Sequence, residues 1–129
     1  MKKSLLAVFV LLVAGLGLWY GLGSATADPA SQIQSDPASK IDFFYQDGCP
    51  HCTDAETWIS QNYPNLKMNM LNLRQGDSIT KLVKAAARYG ISLNNVGTPL
   101  IGFGDNYIMG WGDESTKLFP KYLKEINNK

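Results

Sequence analysis

Apolar and polar residues alternate in two rhythms over residues 40–129. Ile41-Asp42-Phe43-Phe44-Tyr45 is a nearly continuous apolar run, which predicts a buried strand over 41–45. From Pro50 the period lengthens. Cys52, Ala55 and Ile59 recur at 3–4 spacing with Trp58 beside them, which predicts a helix over 50–62 that Tyr63-Pro64-Asn65 ends. Residues 66–73 alternate, with Leu66, Met68 and Met70 on one face of a second strand. Met68 and Met70 read there as core filling, since the flexible thioether packs well, and not as a ligand set. Gly76-Asp77-Ser78 then turns the chain and caps a helix over 79–89, with Ile79, Leu82, Val83 and Ala86 facing inward. Gly90 is a good C-terminal stop.

Residues 100–103 and 107–111 read as two strands joined across Gly104-Asp105-Asn106, a hairpin signal. Gly112-Asp113 leads into a last helix with Leu118, Tyr122 and Ile126 on one side. Pro120 lacks the N–H that a helix interior needs. It either breaks that helix or opens a second short segment. The order is β-α-β-α-β-β-α, an α/β class. The first three elements suit a parallel crossover, and the hairpin adds antiparallel strands. The expectation is a central mixed sheet with helices on both faces. Residues 40–129 suffice for one small domain with a single core.

The N-terminus has a different character. Met1-Lys2-Lys3 is a short basic start, and residues 5–18 are apolar or glycine throughout. Gly21 and Gly23 interrupt the run, and Ala25-Thr26-Ala27 is a small-x-small pattern. Residues 1–27 therefore read as a secretory signal peptide. The rival is an uncleaved anchor, because no charge appears from Ser4 to Ala27 and about 20 apolar residues span a bilayer. Cleavage is favoured by the placement of Ala25-Thr26-Ala27 after the apolar run. Under the rival reading, residues 4–24 are a membrane tether. Either way Lys2 and Lys3 stay inside and the rest is exported, to the periplasm or another extracytoplasmic space, where disulfides persist. Export by the twin-arginine route is not expected, since that arginine pair is missing. Residues 28–39 read as a flexible linker. Asp28-Pro29-Ala30-Ser31 recurs as Asp36-Pro37-Ala38-Ser39, a spacer with too few large apolar residues to order itself.

Charge excludes one class of partner. Lys2 and Lys3 are two of the 12 basic residues, so beyond Ala27 ten face all 11 acids and the net charge is −1. Nothing in that balance suggests a nucleic-acid partner.

The candidate chemistry is Cys49-Pro50-His51-Cys52, which holds both cysteines of the protein. It sits where the first strand gives way to the first helix. Residues three apart on a helical turn are neighbours, at a separation within the disulfide window of roughly 4.4–6.8 Å between Cα atoms. The unpaired N–H groups of a first turn and the helix dipole favour an anion, here a thiolate at Cys49. Pro50 suits the first helical position. A protonated His51 places a cation beside the Cys49 sulfur; stabilising the thiolate stabilises the reduced pair and makes the disulfide a stronger oxidant. Asp47 and Asp54 act in the opposite sense. A metal site is a poor fit, because zinc takes four ligands and one histidine between two cysteines does not supply them; Cu(I) is the better-matched ion if one binds. No cofactor is implied.

The segment Phe43-Phe44-Tyr45-Gln46-Asp47-Gly48-Cys49-Pro50-His51-Cys52 resembles the active-site segment of thioredoxin-fold thiol–disulfide oxidoreductases. Its C-P-H-C version is similar to that of the bacterial DsbA-type oxidants and related small exported domains. Val96-Gly97-Thr98-Pro99-Leu100-Ile101 resembles a second landmark of that family. The resemblance implies a minimal thioredoxin-like fold over 40–129 and a cis Pro99 lying against the cysteines. It also implies that Thr98 offers its backbone to a substrate peptide. Spacing alone says only that Thr98, before proline, is extended. Three departures stand out. There is no room for an inserted helical domain, Gly48 replaces the tryptophan that precedes the first cysteine in thioredoxins, and Asp42 is an off-register candidate for their buried acid.

These readings converge on an exported thiol–disulfide oxidoreductase that exchanges a Cys49–Cys52 disulfide with protein or peptide thiols, with Cys49 attacking and Cys52 resolving. The expected direction is oxidation. A separate redox partner must recycle the pair. Reduction or isomerisation would use the same residues. A thioredoxin-fold binding module or copper carrier is the rival from another class. A purely structural disulfide is disfavoured, because closing so short a loop restrains little chain.

Overall fold

A computed structural model describes Ile33 and residues 35–129. The signal peptide or anchor expected over 1–27 lies outside the described residues, as do residues 28–32 and 34 of the expected linker. Seven elements follow: β1 (Asp42–Tyr45), α1 (Pro50–Asn62), β2 (Asn69–Asn72), α2 (Ser78–Tyr89), β3 (Leu100–Phe103), β4 (Asn106–Met109) and α3 (Asp113–Asn127). They form one four-stranded sheet in the order β2-β1-β3-β4. β1 pairs in parallel with β2 and antiparallel with β3, and β3 pairs antiparallel with β4. This mixed sheet with helices on both faces is the minimal thioredoxin-like architecture.

Strand pleating sorts the core into two layers. Phe43, Ile101 and Ile108 stand in register and pack with Ala55 and Ile59 of α1 and Phe119 and Ile126 of α3. One residue along, Phe44, Leu71 and Leu100 turn to the opposite face and meet Leu82 of α2. Both faces of β1 are thus buried, which is why its sequence is a run and not an alternation.

The predicted elements are all present, with adjusted edges. The first strand starts at Asp42 and the second shrinks from 66–73 to Asn69–Asn72, since an edge strand pairs only as far as its neighbour extends. The final strand begins at Asn106 and ends at Met109, not at 107 and 111. The turn needs only Gly104 and Asp105, and Gly104 has φ +75°, as primed hairpin turns require. Asp77 is the N-cap residue of α2, but its side chain makes no capping hydrogen bond; the carboxylate pairs instead with Lys81 Nζ at 3.2 Å.

Two corrections concern packing. Ile79 and Val83 were expected inward, yet they are 52% and 42% exposed. The buried stripe of α2 is Ser78, Leu82 and Ala86, spaced by four. Ile79 and Val83 lie one position, about 100° of helical rotation, beyond that stripe, and no further element among the described residues covers them. Pro120 neither breaks α3 nor starts a new segment; it sits inside one continuous helix. It lies on the exposed side of α3, while Phe119 and Ile126 hold both halves to the sheet.

The stretch before residue 40 contributes edge structure. Ser35 bridges Met68 in parallel, Asp36 N–H donates to the Met68 carbonyl at 2.9 Å, and Ser39 Oγ donates to the Lys67 carbonyl at 2.8 Å. Residues 35–39 are therefore docked beside β2, and the described unit starts before the expected boundary at 40.

Candidate functional site

The end of β1 delivers the chain to a loop closed by the Cys49 N–H to the Gln46 carbonyl, 3.3 Å. Gly48 in that loop has φ +77°, a conformation that strains any side chain, so the missing tryptophan is built into the turn. Cys49 is the N-cap of α1, with extended backbone, and Pro50 takes the first helical position. Cys49 Sγ accepts the Cys52 N–H at 3.2 Å. A serine or aspartate oxygen usually takes this capping role; here a sulfur does. The same donor serves a thiolate when the pair is reduced, and no acidic residue lies in the first turn to oppose it.

Cys49 and Cys52 are joined as a disulfide with Cα atoms 5.2 Å apart. Their exposures differ: Cys52 is 2% exposed and packs below the turn, whereas Cys49 lies at its partly open edge. The Thr98–Pro99 peptide is cis, and Pro99 is fully buried. Thr98 Oγ1 donates to Cys49 Sγ at 3.5 Å, and the Thr98 carbonyl oxygen lies 3.8 Å from the same sulfur. The hydroxyl contact was not foreseen, because sequence reading assigned Thr98 only a backbone role. His51 is exposed on the first turn of α1.

The two acids flagged near the pair are placed differently. Both Asp47 oxygens accept from Asn72 Nδ2, at 3.0 and 3.1 Å. Asn72 is buried at the end of β2 and also takes the Arg74 N–H on Oδ1, 3.0 Å. Asp54 is exposed on α1. Nearby, burial pushes the Tyr45 phenol above its ordinary range, with the charges of Glu56 and Asp47 adding and an Asn72 hydrogen bond opposing. Asn72 has no sequence signal beyond its place at a strand end.

Asp42 is not under the cysteines. It opens β1 at the end remote from Cys49, accepts from Asn69 Nδ2 at 2.8 Å and faces a cleft shared with Lys81, Lys84 and Arg88. Among the described residues the buried polar side chains are Asn72, Ser78 and Ser115, none acidic. A second depression, about 280 Å³, adjoins the disulfide loop and is lined by Gln46, Leu73, Ile79, Leu82, Val96, Gly97 and Thr98. The exposed Ile79 forms part of its wall. Among the described residues no group of three or more His, Cys, Asp or Glu is placed to hold a metal, and no helix is long and apolar enough to cross a membrane.

The fold and the pair define a thioredoxin-like domain with a C-x-x-C disulfide at a helix N-terminus. The sequence matches no family model, and no curated protein matches it. A similar solved structure is a glutaredoxin from Archaeoglobus fulgidus, 16% identical, covering 64% of this chain and 86% of that one with a TM-score of 0.49. That likeness adds nothing to the reading of the site, which rests on the geometry above.

Proposed function

We propose that this protein is an exported thiol–disulfide oxidoreductase that passes the Cys49–Cys52 disulfide to protein thiols. The observation that carries the reading is the asymmetry of the pair. Cys49 Sγ sits at the open edge of the turn with two donors, the Cys52 N–H and Thr98 Oγ1, while Cys52 is sealed beneath it. An incoming substrate thiolate attacks Cys49 Sγ, the bond to Cys52 breaks, and Cys52 leaves as a thiolate beneath the turn. A second substrate thiol then attacks the mixed disulfide at the substrate's own sulfur and releases Cys49. The emerging Cys49 thiolate is met by the helix N-terminus and by both donors.

The substrate is an extended peptide lying along Thr98 and Pro99, with an apolar side chain in the depression walled by Ile79, Val96 and Leu73. The basic start and apolar run of 1–27, read as a signal peptide or an anchor, support export, and a separate redox partner restores the disulfide. The direction is oxidation, because His51 on the first turn favours the thiolate and with it the reduced pair. Equilibration with glutathione tests this, comparing the parent with His51→Ala. The expected parent potential is well above the thioredoxin value of about −270 mV, and His51→Ala lowers it, with about 30 mV for each 1.4 kcal/mol of lost thiolate stabilisation. A parent potential at or below about −270 mV marks a reductase instead.

A further inference from the structure

Met109 ends a row of side chains on the α2 face of the sheet. Leu71, Phe44, Leu100 and Met109 stand in register across the four strands. The first three are buried, whereas Met109, on the edge strand, is 42% exposed. Its Sδ accepts the Gly97 N–H at 3.4 Å. Gly97 directly precedes Thr98, whose Oγ1 reaches Cys49 Sγ at 3.5 Å. A thioether therefore holds, at one remove, the hydroxyl that faces the reactive sulfur.

We propose that Met109 is a site of reversible oxidation by hydroperoxides, through which peroxide slows exchange at Cys49. The proposal rests on the exchange function argued above. In the step, the Met109 sulfur attacks one peroxide oxygen and the O–O bond breaks. Sulfur gives up two electrons and becomes the sulfoxide, and hydrogen peroxide leaves as water. With Cys49 and Cys52 paired, no thiol competes for the oxidant among the described residues. Met68 is fully buried and Met70 partly so, which leaves Met109 the most open of the described methionines.

Oxidation alters the contact itself. A sulfoxide oxygen on the lone pair that now receives the Gly97 N–H would sit well inside the usual N–H···O separation of about 2.7–3.2 Å. The side chain or the Gly97 turn must move, and the turn carries Thr98 with it. Loss of one ordinary hydrogen bond at the reacting sulfur slows exchange by about two- to tenfold. Sulfoxide reductases reverse the change, so the device resets.

The test uses the full chain in its disulfide form, treated with hydrogen peroxide. Peptide mapping is expected to find oxygen on Met109 before Met68 and Met70. The Gly97 amide is expected to lose protection from deuterium exchange, and exchange with a cysteine peptide to slow by about two- to tenfold. Methionine sulfoxide reductase, followed by re-formation of the disulfide, restores both readings. Met109→Leu, which lacks the oxidisable sulfur, shows no peroxide-dependent slowing. The proposal is overturned if Met109 stays unoxidised while Met70 reacts, if its oxidation leaves Gly97 protection and rate unchanged, or if peroxide slows Met109→Leu as much as the parent. An untreated protein that exchanges with no thiol overturns the function argued above; Gly97 protection then still decides whether Met109 oxidation reaches this loop.

Discussion

On one face of the sheet, the Phe119 ring of α3 lies 5.2–6.2 Å from the rings of Trp58, Tyr63, Phe103 and Trp111, and is fully buried. On the other face, α2 offers only Leu82 and Ala86 as buried apolar side chains, and leaves Ile79 and Val83 about half exposed. Two helices and an aromatic cluster seal the first face; one narrow stripe covers the second. The Cys49 loop draws on both, since Ala55, one turn along α1 from Cys52, packs into the aromatic-face core while Gly97 and Thr98 border the depression beside α2. The difference separates two kinds of apolar residue. Those on the aromatic face hold the fold, whereas Ile79 on the α2 face stays open to solvent beside the disulfide loop.

Substitutions on the two faces break or sharpen this contrast. Phe119→Ala should cost about 3–5 kcal/mol in urea unfolding, a large part of a small domain's stability. A loss below about 1 kcal/mol would mean the aromatic cluster is not the structural core. Leu82→Ala should cost less, about 2–3 kcal/mol, because the thin α2 layer beside an open depression can relax into the gap. Ile79→Ser should shift stability by no more than about 0.5 kcal/mol. It should nevertheless weaken peptide substrates by about fivefold, the effect of about 1 kcal/mol of lost apolar burial. Unchanged KM for an apolar cysteine peptide would remove Ile79 from the binding surface.

The smallest effect is alkaline. Burial raises the Tyr45 and Tyr89 phenols above 10.0, so each binds its proton more tightly folded than unfolded. Their contribution is fully present below the unfolded value and is lost as pH rises through the folded one. The Asp105 hydrogen bond raises Lys129 and acts in the same direction. The urea midpoint should therefore drift down as the pH rises above about 10. A flat profile would show that neither phenol titrates with folding.

Periodicity located every element of the described domain, because each buried face repeats at the spacing of its strand or helix. Phe43 and Phe44 fixed a doubly buried strand, and Cys52, Ala55 and Ile59 fixed the inward face of α1. The same logic failed at Ile79 and Val83, since periodicity marks an apolar arc but not how much of it a neighbour covers. Pro120 misled for a related reason: a missing N–H matters little on the wet side of a helix anchored at Phe119 and Ile126. At the site, the Cys49–Cys52 spacing was legible. The Thr98 hydroxyl, Asn72 beneath Asp47 and the Met109 contact with Gly97 were not, because each joins residues far apart in the chain through side-chain direction alone.

The central claim is that Cys49 is the exchanging sulfur and Cys52 its sealed partner. Mixed-disulfide trapping with a cysteine peptide activated as a disulfide tests it most directly, comparing Cys52→Ser with Cys49→Ser at neutral pH. Cys52→Ser should accumulate a stable adduct through Cys49, and Cys49→Ser should form almost none, because a sulfur as buried as that of Cys52 meets no large substrate. An adduct on Cys49→Ser with none on Cys52→Ser would contradict the assignment.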